Sequence, residues 1–138
     1  MRIFFITILI TFNSSAYTNP VPPGEKVLLV QVESSGLIRV GRDTVGIDNI
    51  ARYIQDRLFK SYMGTGLMQD RIRLEKSDPD IPDLVLEVVL NEIKSGQQRA
   101  LRELCMQKYR KYFEVLDKKK QAKLRKQYPV LFQSNFTG

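Results

Sequence analysis

The sequence predicts one α+β domain, a small mixed β-sheet covered by helices, with a long second helix and a short basic one. Three observations lead there. A chain of 138 residues has room for one core of ordinary size, and a second domain would leave each half short of the usual minimum. Two runs rich in β-branched residues, joined by turn residues, stand near the start of the folded part. Farther on, apolar residues recur at steps of three and four, the stripe of an amphipathic helix.

Val27-Leu28-Leu29-Val30-Gln31-Val32 begins to alternate at its end, as a strand with one buried face does. Ser34-Ser35-Gly36 supplies turn chemistry, and Leu37-Ile38-Arg39-Val40 returns as a second strand of a hairpin. Gly41-Arg42-Asp43 makes the next turn, with Thr44-Val45 as a short extension, and Asp48 offers an N-cap. Ile50, Tyr53, Ile54, Arg57, Leu58 and Tyr62 place an apolar face on a first helix able to cover the hairpin. Gly64 and Gly66 break that pattern, and Ile72-Arg73-Leu74-Glu75 alternates as a third strand. Asp78, Asp80 and Asp83 alternate with Pro79 and Pro82, which reads as a turn and helix N-cap; the spacing and distal Glu of a calcium loop are missing.

From Asp83 the stripe Leu86, Leu90, Ile93, Gln97, Ala100, Leu104 predicts a long helix to about Phe113, with Gly96 the place for a bend. Asp117 can cap a short helix over residues 118–127, which ends where Tyr128 meets Pro129. Val130-Leu131-Phe132 is expected as a last strand on the sheet edge.

The amino terminus bears on compartment. Residues 3–12 are an apolar run behind Arg2, too short for a bilayer span of about 20 residues. With Ser14 and Ala16 following, residues 1–18 read as a secretory signal or part of a membrane anchor. Asn19 to Glu25, with three prolines, form a stiff linker, and residues 26–138 the folded domain.

Composition narrows the chemistry. There is no His and one Cys, Cys105, so His-based triads, Cys–His pairs and zinc clusters cannot be assembled. Gly64-Thr65-Gly66 lacks the spacing and Lys of a phosphate loop. The expectation is a protein that is not an enzyme and takes no cofactor or metal. Cys105 reads as a small buried apolar residue.

The charge is unevenly placed. Between residues 94 and 127 stand twelve Lys or Arg against three acids, while the rest of the chain is slightly acidic, so this segment supplies the whole net charge of +7. Lys108, Lys111, Lys118, Lys119, Lys120, Lys123 and Lys126 form the candidate partner-contact face. Such a run is either a solvated helix face or a surface for an anionic partner. Tyr109, Tyr112 and Phe113, spaced by three and four among the cations, are expected to pack onto the core.

Three stretches also carry a resemblance. They are the strand-turn-strand of residues 27–40 leading into a helix near Gly46-Ile47-Asp48; Ile72-Arg73-Leu74 before a long helix; and Leu104-Cys105-Met106-Gln107-Lys108-Tyr109, then Tyr112-Phe113, Leu116 and Gln121 to Pro129. Together, over about residues 26–132, they resemble the ExbD/TolR family, in particular its divergent, longer ExbD-like branch. The resemblance implies a periplasmic α+β domain held by one amino-terminal helix, usually as a homodimer. Its partners would be an ExbB/TolQ-like proton channel and a TonB/TolA-like transducer, and its work energy transduction for transport across the outer membrane. Family members carry a proton-transferring aspartate in the membrane helix, whereas the first acid here is Glu25. The apolar run matches only the later part of that helix, so the sequence is expected either to begin inside it or to have lost the motor. The implied location is the inner membrane with the folded domain in the periplasm, or the periplasm itself if the start is a cleaved signal. The alternative is a secreted module whose basic face holds peptidoglycan or another anionic wall polymer, a membrane surface or a partner protein. No nucleic acid is expected as a partner.

Overall fold

Leu28, Val30 and Val32 are buried, while Val27, Leu29 and Gln31 between them are only partly so, which makes β1 (Val27–Val32) a strand with one core face. The computed structural model describes residues 26–137, so the segments 1–18 and 19–25 lie outside the described residues. β1 is central. On one side it pairs antiparallel with β2 (Ile38–Val40), which pairs with β3 (Asp43–Val45). On the other it pairs parallel with β4 (Arg71–Lys76), giving a four-stranded mixed sheet of order β3-β2-β1-β4. The hairpin turn falls where Ser34-Ser35-Gly36 predicts it: Gly36 has φ +85°, a region glycine enters without steric cost, and Glu33 N–H donates to Leu37 O at 2.9 Å. The Thr44-Val45 extension forms a full edge strand paired to β2.

Parallel pairing of β1 with β4 needs a crossover, and α1 (Ile50–Thr65) provides it. Ile50, Ile54 and Leu58 are fully buried, as the spacing predicts. Asp48 is not a cap: residues 47–49 form a 3-10 turn and no side chain bonds the start of α1. Gly64 stays inside the helix, and Gly66 ends it in the left-handed conformation, its N–H donating to Tyr62 O at 2.7 Å.

α2 (Asp83–Tyr109) packs along α1 with Val89, Ile93, Gly96, Gln97, Ala100, Leu104 and Cys105 buried; Leu86 and Leu90 of the predicted stripe are only partly covered. The aspartate-proline segment does turn, with Asp80 N–H donating to Asp78 Oδ1 at 2.9 Å. The N-cap position belongs to Pro82, which makes no side-chain cap bond. Gly96 does not break the helix. A Cβ there would stand 2.7 Å from Ile54 Cβ and 2.8 Å from Ala51 O, so glycine lets α1 and α2 approach closely.

α2 ends at Tyr109, a turn short of Phe113, because Arg110 takes the left-handed conformation at φ 54°. Residues 113–115 form a 3-10 turn, and Asp117 caps α3 (Lys118–Gln127), as expected, by accepting from Lys120 N–H at 2.8 Å.

The carboxy-terminal segment departs from the sequence reading. Residues 129–132 are a 3-10 turn, not a strand; Pro129 fixes φ and lacks an N–H, and Leu131 N–H donates back to Tyr128 O at 3.1 Å. The sheet edge is met instead by Gln133. Its Oε1 accepts from Ile72 N–H and its Nε2 donates to Ile72 O, both at 2.7 Å, and Leu74 N–H donates to Phe136 O at 2.7 Å. From the other side buried Gln97 donates to Val130 O at 2.7 Å and Gln133 O at 3.2 Å. A stripe position read as apolar is thus an amide that anchors the tail. Among the described residues no helix is long and apolar enough to cross a membrane.

Candidate functional site

The connection from α2 to α3 sets the geometry of the basic face. Leu116 and Leu124 are buried and dock the connection and α3 on the body, and Gln121 Nε2 donates to Phe113 O at 2.9 Å. With Leu124 as its one buried residue, α3 turns its remaining sides to solvent. All seven candidate lysines are exposed. Lys108 lies in the last turn of α2, Lys111 in the connection, and Lys118, Lys119, Lys120, Lys123 and Lys126 on α3.

The fold gathers cations around aromatic rings. Lys108 Nζ stands 5.8 Å from the centre of the Tyr109 ring and 5.7 Å from that of Tyr128, and Lys120 Nζ reaches the Tyr109 ring at 5.4 Å. α2 and α3 therefore share one ring. Arg125 lies over Phe113 at 5.3 Å and Phe132 at 4.9 Å, and Arg102 over Tyr112 at 5.7 Å. Each such contact contributes about 0.5–1 kcal/mol at an exposed site. No local pattern marks Arg102 or Arg125 for this role, since the rings they cover lie outside their own helices.

The aromatic expectation divides. Tyr109 and Phe113 pack against the core, but Tyr112 is 53% exposed, because the helix that would have turned it inward ends at Tyr109. Lys120 has an ion pair with Asp117 at 3.9 Å, long and on the surface, and such a pair contributes little. Lys119, Lys123 and Lys126 form no ion pair among the described residues.

A concavity of the opposite charge is lined by Glu33, Asp78, Asp80, Ile81, Pro82 and Val85 beside the hairpin turn. Among the described residues no group of three or more His, Cys, Asp or Glu is arranged to hold a metal ion. Cys105 is buried, as expected, and burial first, then the Glu114 carboxylate, pushes its thiol above the ordinary value. Burial raises Tyr128 too, aided by Tyr62 and Tyr109. Tyr53 is raised by burial and by the hydrogen bond its hydroxyl donates to the Asp43 carboxylate.

Neither a protein-family model nor a curated protein sequence matches the chain.

Proposed function

We propose that this is a non-catalytic domain acting through protein contacts, held outside the cytoplasm by its apolar start, in an energy-transducing complex of the ExbD/TolR kind. The support is the order of elements, strand-turn-strand, helix, strand, long helix, short basic helix, the order in which the three resembling stretches run. Within the third stretch, Leu104, Cys105, Leu116, Leu124 and Tyr128 are buried. The likeness thus rests on residues that build the core and speaks to fold more than to a shared site. Work would come from binding one conformation of a transducer better than another, beside an ExbB/TolQ-like channel and in a homodimer.

An open sheet edge can recruit a partner's strand, but the β4 edge is occupied at Ile72 and Leu74 by the chain's own tail. That shifts weight to the basic helices. The test joins a complete family membrane helix, aspartate included, ahead of Asn19, in cells lacking their own ExbD-like protein. Proton-dependent outer-membrane uptake is expected to return, and to vanish when the grafted aspartate becomes Asn. A stably inserted chimera that restores nothing refutes the reading.

A further inference from the structure

We propose that the outward side of α3, with the turn that precedes it, is a docking surface for an anionic phospholipid bilayer. Lys119, Lys123 and Lys126 follow one another at steps of four and three, which brings them to one side of the helix, away from buried Leu124. α3 carries six cations and no acid, and like charges three and four apart repel and weaken a helix. Nothing among the described residues offsets that repulsion for these three: they form no ion pair and lie over no ring. The flanking cations differ. Lys120 is laid against Tyr109, and Arg125 against Phe113 and Phe132. The cations near the rings serve packing, and the outward lysines are left to meet charge from outside.

Two further observations favour a bilayer over a nucleic acid. Tyr112, 53% exposed, and Val115, 67% exposed, stand in the turn just before α3; an amphipathic ring and an apolar side chain beside lysines suit the headgroup boundary. Tyr109, Tyr112, Phe113, Tyr128 and Phe132 all carry cations over their rings, which obstructs the stacking that holds single-stranded nucleic acid. This proposal is independent of the channel reading, since it needs neither a channel nor a transducer.

The experiment is co-sedimentation of the full chain with phosphatidylcholine vesicles, with and without phosphatidylglycerol. Residues 3–12 are apolar and carry no charge, so the readout is the gain on adding anionic lipid. Each lysine near such a surface raises partitioning about fivefold. Combined Lys119→Gln, Lys123→Gln and Lys126→Gln should therefore reduce that gain about a hundredfold, with phosphatidylcholine binding unchanged. The matching triple Lys→Arg variant should keep the gain, and Val115→Asp should weaken it, which guards against a Gln variant that fails to fold. High salt should abolish it. No preference for phosphatidylglycerol, a Gln variant that binds as the parent does, or an Arg variant that does not bind overturns the proposal. So does tighter binding to an oligonucleotide or a wall-glycan preparation of equal charge, which would assign the face to a different polymer.

Discussion

Gly96 and Ile54 meet so closely that a Cβ on Gly96 would lie 2.7 Å from the Cβ of Ile54, with Ala51 O at 2.8 Å. Neither neighbour is the end of a flexible side chain. Gly96→Ala should gain about 1 kcal/mol of helix propensity and lose more to overpacking, which typically costs about 1–3 kcal/mol. Denaturant unfolding should show a net loss of stability. A more stable variant would show that α1 and α2 do not touch here.

The tail's grip on β4 can be read directly. Gln133→Leu removes both bonds to Ile72, leaving a backbone N–H and C=O without partners at a cost of about 1–3 kcal/mol. Amide hydrogen exchange at Ile72 and Leu74 should accelerate more than at Val30, in the middle of the sheet. Uniform protection after the substitution would mean that the tail does not hold the edge.

Position along α2 should grade the cost of truncating leucines. Leu104 is fully buried and Leu90 only partly. Leu104→Ala should cost about 2–5 kcal/mol, the range for a core leucine, and Leu90→Ala distinctly less. Equal losses by chemical denaturation would contradict the packing described.

Alkaline pH should unfold the protein through groups whose neutral forms the fold favours. Cys105 is raised above 9.0, mainly by burial, and Tyr53 and Tyr128 above 10.0, again mainly by burial. A raised folded value favours the neutral group, so its contribution is complete below the unfolded value and is lost as pH rises through the folded one. Stability should stay level on this account up to about pH 9 and fall above it. Cys105→Ala should delay the first part of the fall, and alkylation of native Cys105 at pH 8 should be far slower than in denaturant.

Asp117→Ala removes the one side-chain cap bond of α3 and should cost about 1 kcal/mol. Local exchange over Gln121 to Leu124 should increase, while α1 stays protected. Unchanged exchange would show that Leu124 alone holds the helix.

What the sequence made legible was whatever repeats locally. Alternation at Leu28, Val30 and Val32, and the four-residue steps at Ile50, Ile54 and Leu58, located core faces correctly. So did Asp117, whose cap depends only on residues next to it. Helix caps were harder: α2 begins at Asp83 as the stripe predicts, yet Asp48 and Asp83, both good capping types, are not the caps, which fall at Asn49 and Pro82. Gln97 was placed on the right face, but the carbonyls it serves arrive from residues 130 and 133. No local pattern announces such a partner. Val130-Leu131-Phe132 misled because a β-branched and aromatic run behind a proline looks like a strand, while Gln133, a polar residue in an unpatterned tail, makes the edge bonds. The candidate face was visible as a run of lysines; the inward pull on Lys120 and Arg125 depends on rings placed by the tertiary fold.

The amide of Gln133 reaches back 61 residues to Ile72, and buried Phe136 follows it. A chain made from its amino terminus has β1, β4 and both long helices in hand well before these groups exist. During synthesis the β4 edge stays open and part of the core stays wet until the tail emerges. The order of manufacture thus opposes early closure of the domain.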